Sequence, residues 1–296
     1  MGEKIMDALV GAVKDRMGAG YIVGAQKIEK DNGVERWAVS IAGSAGAVSS
    51  AVYIDGMAVD IGAGAIDIPD AAQRVIQAYQ DSAHNGVADA IQRLDKGYIL
   101  RHTFCQMVWR GKNIRRLQDM PHEDVLDLSV TYRVYLEGRS DVTASIKVTH
   151  PFCRAYGIDG EELCRCAKRN TEERGFCVRS VASILAEAAG LPGIGDCPID
   201  SPIPPLWTLS TRTGLYGASV LLYGEPFDRL AERYGSDLYV IPSSIHEVLA
   251  VPVRDLEPEE LRCMVAYVNA SEVPAEDQLS DNVYRYSRKD KRLAIA

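Results

Sequence analysis

The chain reads as an α+β protein, with mainly antiparallel sheets covered by helices and a C-terminal ββαββα layer. Three observations carry that expectation. Apolar residues repeat with a helical period near the N-terminus, short runs rich in Val, Ile, Leu and Tyr recur between Gly and Pro residues, and no steady βαβ rhythm links them. With 296 residues, 47% of them hydrophobic, the chain buries enough surface to fold without staples.

Ile5, Leu9, Val13 and Met17 recur every four residues, beside Met6 and Val10, and Gly18 and Gly20 end the helix they predict. A hairpin follows, 22–29 and 35–41, turned at Asn32-Gly33, a step that accepts positive φ. The small-residue loop Gly43 to Gly46 lacks the glycine spacing and Lys-Ser/Thr ending of a phosphate cradle. Strands are expected over 51–55 and 57–61, and a helix after Ile68-Pro69-Asp70, broken at Asn85-Gly86 and followed by a shorter one over 87–94. Residues 98–108 lean towards strand, 110–117 form a polar turn or helix, and 126–136 pairs with 143–149 across Gly138. Asp159-Gly-Glu-Glu162 has the form of a capping box, Ser180 opens an alanine-rich helix, and Gly190 closes it.

The Pro- and Gly-dense stretch 191–205 is the expected joint between a 1–190 region and a 206–296 region, which could also be continuous. Beyond it come strands at 206–210 and 218–223, a helix at 225–234, a strand pair over 238–253 and a helix at 258–269. Val220, Leu222, Tyr239, Ile241, Val248 and Val251 are the expected sheet core, with Leu230, Leu261 and Val268 covering it from the helices. The basic run 285–292 is expected as a solvated tail.

Net charge is −8, which disfavours nucleic-acid binding. No window approaches a membrane span, and no signal peptide opens the sequence, so a cytoplasmic location is expected. Seven cysteines, an odd number without a secretory signal, read as free structural thiols. Cys164 and Cys166 are too close for a zinc knuckle, and no metal or other cofactor is expected.

Several blocks carry a resemblance. They are Gly111-Lys-Asn113 to Leu117 with Met120-Pro121-His122 and Leu126-Asp127-Leu128, then Tyr156-Gly-Ile158 through Asn170-Thr171. Gly217-Ala218-Ser219, Gly235-Ser-Asp-Leu-Tyr239, Pro242-Ser-Ser-Ile-His-Glu247, Asn269-Ala270 with Glu272-Val273, and Leu279-Ser-Asp-Asn-Val-Tyr284 complete the set. Together they resemble the bacterial family catalogued as domain of unknown function 5688, over most of the chain from about residue 50. The chain departs from that pattern at Ser210-Thr211, where the family often has Thr-Asn, and at Tyr216, where it often has Asn. The resemblance implies no activity, because the family has none assigned.

Ser243, Ser244, His246 and Glu247 are the leading candidates, held between two strand-like runs. A hydrolase or transferase would use His246 as base and Ser244, on the same strand face, or a cysteine as nucleophile. The structural alternative has both serines bonding local backbone in a tight turn. His122 and Asp127 are a second pair, read either as a binding site or as a turn histidine and a paired acid. No Gly-x-Ser-x-Gly elbow occurs. The favoured expectation is therefore a non-enzymatic binding or regulatory protein; a mobile-element or anti-defence setting is one such role, and no residue points to it. It would meet a protein or small-molecule partner, not nucleic acid or membrane, through Ser244, His246, His122, Asp127 and the 191–205 loop.

Overall fold

A computed structural model describes residues 2–43, 49–84, 87–136, 144–191, 205–254 and 257–296. The 43–46 loop beyond Gly43, the Asn85-Gly86 break, the turn at Gly138, Cys197 and nearly all of 191–205 lie outside them. The chain forms two compact units, Met1–Leu94 with Tyr135–Ser145, and Asp95–Val134 with Ile146–Ala296. The division thus falls near residue 95, not at 191–205. The reason is a backbone ladder: Phe176–Ser180 pairs antiparallel with Trp207–Thr211, tying both sides of the 191–205 connection into one sheet.

In the first unit, α1 (Gly2–Met17) buries Met6, Leu9 and Val13 in one cluster with Val39 and Ile41, as its periodicity demands. Strands β1 (Tyr21–Glu29) and β2 (Glu35–Gly43) form the expected hairpin, closed at Glu29↔Glu35, with Asn32 at φ 60° in its turn. Strand β3 (Ser49–Tyr53) pairs with β2. The expected strand at 57–61 is instead helix α2 (Asp55–Gly62), whose Ala58 N–H returns to the Ile54 carbonyl at 2.8 Å. Five residues gave alternation too little length to outweigh a local helical bond. Helices α3 (Ile68–His84) and α4 (Val87–Gln92) follow, and Val75 and Ile76 of α3 join the same core.

The second unit opens with α5 (Lys96–His102), where strand was expected from residue 98. Asp95 caps this helix by accepting the Tyr98 N–H at 2.6 Å, so only β4 (Thr103–Trp109) is extended. After α6 (Arg110–Leu117) come β5 (Glu123–Val125), β6 (Leu128–Leu136) and β7 (Ala144–Lys147). Strand β6 pairs with β4, β5 and β7 in a four-stranded sheet. Helix α7 (His150–Tyr156) precedes α8 (Gly160–Glu173), whose Asp159 cap accepts the Glu161 and Glu162 N–H groups as expected. Helix α8 is pinned to β4 by two side chains. Thr171 Oγ1 accepts the Cys105 N–H at 3.0 Å, and the Asn170 amide donates to the carbonyls of Leu100, Arg101 and Thr103.

A six-stranded antiparallel sheet forms the rest. Its strands are β8 (Phe176–Ser180), β9 (Trp207–Thr211), β10 (Leu238–Ser244), β11 (Glu247–Pro252), β12 (Tyr284–Ser287) and β13 (Arg292–Ile295), in the order β13-β12-β10-β11-β9-β8. Helices α9 (Val181–Ala188), α10 (Glu225–Tyr234) and α11 (Pro258–Glu272) lie between them in sequence.

Residues 218–223 are not a strand. Gly217–Leu222 is a 3-10 helix: Gly217 lies against Ser210 of β9 and the His246 carbonyl at the start of β11, and both of those strands already have ladder partners on each side. The layer therefore departs from ββαββα, and Leu222 is only half buried. Side chains alternate between faces of β10. Tyr239, Ile241 and Val251 pack with Leu261 and Val265 of α11. Leu238 and Val240 turn the other way with Tyr284 and Tyr286, and the ring of Phe227 of α10 packs tilted against Tyr286, centroids 5.4 Å apart. The two helices thus cover opposite faces, and Val268, expected in the core, is 44% exposed.

The basic run 285–292 is not a solvated tail either. Tyr284 and Tyr286 alternate with Arg285 in period two, which makes an amphipathic strand. Arg285 reaches Asp237 at 2.8 Å and Arg288 reaches Glu232 at 2.9 Å.

Candidate functional site

Ser243 to Glu247 occupies the β10–β11 corner, as expected, with a register shift between Ile241 and Ser244. Pro242, which has no N–H to give a ladder, falls in that irregularity. Ser244 Oγ accepts the backbone N–H of His246 at 3.1 Å, and Ser243 Oγ donates to the Glu247 carbonyl at 3.5 Å. The His246 ring accepts the Tyr216 N–H on Nδ1 at 3.3 Å, while its carbonyl accepts Ser210 Oγ at 2.7 Å. With Nδ1 holding a lone pair, the ring proton sits on Nε2.

The ring also packs against Tyr216, which in turn lies against Phe104 and under the Arg133 guanidinium. Ser244 and His246 are therefore together, yet joined through backbone and not through hydroxyl and imidazole. Glu247 is exposed. Tyr216 holds φ 53°, a left-handed conformation that asparagine tolerates better than tyrosine.

Asp127 is a paired acid. Leu126 takes φ 57°, turning the chain so that the Asp127 carboxylate accepts the hydroxyls of Ser280 and Tyr284 and, at 2.9 Å, the Asn282 amide. Burial, the hydrogen bond to Asp127 and its charge all push the Tyr284 phenol well above the ordinary tyrosine range. Two of the resembling blocks, more than 150 residues apart, meet here. Their meeting is a fold contact, and His122 has no part in it.

His122 instead borders a cleft of about 460 Å³, with His150, Glu123, Tyr132, Cys164 and Arg165 on its walls. Its Nδ1 lies 2.9 Å from the Met120 carbonyl. Glu123 is the hub of the cleft: it accepts the Cys164 thiol, Tyr132 Oη at 3.0 Å and Lys168 Nζ at 2.7 Å. Burial pushes the Glu123 carboxyl up, but those three donors outweigh it and hold the group below the usual carboxylate range. Burial and the bond to Glu123 raise Cys164, which keeps it a protonated thiol and a weak nucleophile. Cys105, deeper on β4, is pushed up to about 12 by burial. Sequence reasoning treated Cys164 as structural and missed its carboxylate, because 41 residues separate the pair.

A second cavity, about 330 Å³, opens between α11 and the face of the sheet that carries Ile241 and Val251. Its walls are almost wholly apolar: Leu261, Met264, Val265 and Val268 from the helix, with Ser243 at the rim and Asn269 at one end. These positions fall at helical spacing, so one stripe both packs on the sheet and continues past it. Leu261 and Val265 are buried, whereas Met264 is 54% exposed. Glu260 precedes Met264 by one turn, Glu272 follows Val268 by one turn, and both are exposed. The periodicity of α11 signalled the stripe, but not that half of it faces an open groove.

Among curated proteins and solved structures, none matches the chain. A family model does, over residues 3–288: the chain belongs to the family of unknown function DUF5688.

Proposed function

We propose that this member of DUF5688 is a binding protein, and that its partner is a small, largely apolar molecule seated in the groove between α11 and the six-stranded sheet. The observation that carries the reading is the groove itself: a concave, apolar cavity of about 330 Å³ between a helix and a sheet. An exposed methionine on such a wall adapts to ligand shape. The His246 corner supports binding over turnover, since its serines and Nδ1 are engaged by backbone. We place this activity in the bacterial cytoplasm, where free thiols persist. No described helix is long and apolar enough to cross a membrane.

Val268→Asp tests the reading. Val268 is 44% exposed, so a carboxylate there leaves the melting temperature within about 2 °C while placing charge on the groove wall. Nile red, a neutral apolar dye, is expected to bind the native chain saturably and to lose at least about tenfold in affinity for the variant. Equal binding to both chains, or none to the native one, overturns the proposal.

A further inference from the structure

The groove between α11 and the sheet has two unlike ends. Apart from Ser243 and Asn269, its walls are Leu, Ile, Val and Met side chains, and no aromatic ring lines it. Charge enters only at the ends. On β11, Val248 and Ala250 are fully buried on one face, so Glu247, Leu249 and Val251 share the other, and Leu249 and Val251 line the groove. Glu247 therefore stands just beyond Leu249, beside Ser243 at the rim, whose hydroxyl donates to the Glu247 carbonyl at 3.5 Å. Glu272 continues the Leu261, Val265 and Val268 stripe of α11 by one more turn. Gln278 ties that last turn to the same corner: its Nε2 donates to the carbonyls of Asn269 and Val273, and its backbone bridges Ser244. Both carboxylates are exposed, and neither has an ion-pair partner among the described residues.

Helix α11 adds to the asymmetry. Its last turn holds no basic residue, and its C-terminus is the negative pole of the helix dipole. Lys112 approaches the corner only through Gln278 Oε1, at 3.3 Å, and its ammonium lies over the Trp109 ring at 4.2 Å. At the other end Glu260 stands beside the positive pole, which offsets it, and Glu259 is paired with Arg262 at 3.0 Å. We propose that the groove takes an aliphatic amine, its chain along the hydrocarbon walls and its ammonium head at the β10–β11 corner, where Glu247 and Glu272 supply the counter-charge. The inference rests on the groove reading above and adds the class of ligand and the direction in which it lies. The walls give affinity that grows with each buried methylene but does not orient the chain. Charge orients it: a carboxylate head at the corner would meet two like charges and the negative pole of α11, whereas an ammonium is attracted by all three.

The test presents octylammonium, 1-octanol and octanoate to the full chain near neutral pH and at low salt, one eight-carbon chain under three heads. An alkyl amine, like a lysine side chain, is protonated there. Displacement of Nile red is expected to rank them in that order, with the amine ahead of the alcohol by about fivefold. Added sodium chloride should shrink that lead. The side-chain ¹³Cδ resonances of Glu247 and Glu272 are expected to move with the amine, and that of Glu260 to stay. Replacing both acids, Glu247→Gln with Glu272→Gln, should bring amine and alcohol to equal affinity, and both positions are exposed, so the fold tolerates the change. A lead that survives in the double variant overturns the part given to the two carboxylates. Equal displacement by amine and alcohol on the native chain, or tighter binding of octanoate, overturns the amine preference and leaves the groove reading standing. Displacement by none of the three overturns the groove reading itself.

Discussion

Asp127→Ala lowers the stability of the unit built from Asp95–Val134 and Ile146–Ala296 by roughly 3 kcal/mol. The carboxylate it removes accepts three donors from one segment, Ser280, Asn282 and Tyr284, and two of those residues, Ser280 and Tyr284, are 0% exposed. Alanine offers no acceptor in exchange, so the Tyr284 hydroxyl stays buried and unpaired. Asp127→Asn is expected to fall between the two chains, because it keeps one carbonyl oxygen but turns an NH₂ group towards donors. Urea titration measures the difference. A loss below about 1 kcal/mol for the alanine variant would show that the segment is held by packing alone.

Gly217→Ala is the other large effect, also roughly 3 kcal/mol, at the upper end of overpacking costs. A methyl group at that position would land on Ser210 Oγ and the His246 carbonyl oxygen, and within 2.8 Å of Ser210 Cα. Two of those three atoms are backbone and cannot step aside. The bond from Ser210 to the His246 carbonyl would break, and the corner holding His246 against Tyr216 would move with it. Gly160→Ala, in the first turn of α8 with nothing within 4 Å of the new methyl, is the control and should be near neutral. Thermal melts that place both alanine variants together would contradict the wedge.

Both sites lay partly open in the sequence. Local signals carried furthest where a few adjacent residues decide the structure. Asn32-Gly33 forced a hairpin turn, Asp159 capped a helix, and the stripe from Met6 to Val13 became a core. They failed where distant residues decide. Residues 218–222 are apolar and bounded by Gly, which reads as strand, but Gly217 is held by Ser210 and His246, and the segment coils instead. At 285–292 the density of charge hid the period-two burial of Tyr284 and Tyr286, whose ladder partners on β10 are more than 40 residues away.

The candidate site divides along the same line. That Ser243 to Glu247 forms a strand corner follows from Pro242 and the flanking apolar runs. That the His246 ring bonds the Tyr216 backbone, and that Asp127 bonds Tyr284, depends on topology that no spacing encodes.

Methyl-resolved NMR during a titration with 1-octanol tests the central claim most directly, because it locates the ligand without any mutation. Resonances of Ile241, Val251, Leu261, Met264 and Val265 should shift together and saturably, while Met120, in the cleft at His122, stays unmoved. Shifts centred on Met120, or no saturable shift at the α11 methyl groups, would contradict the account.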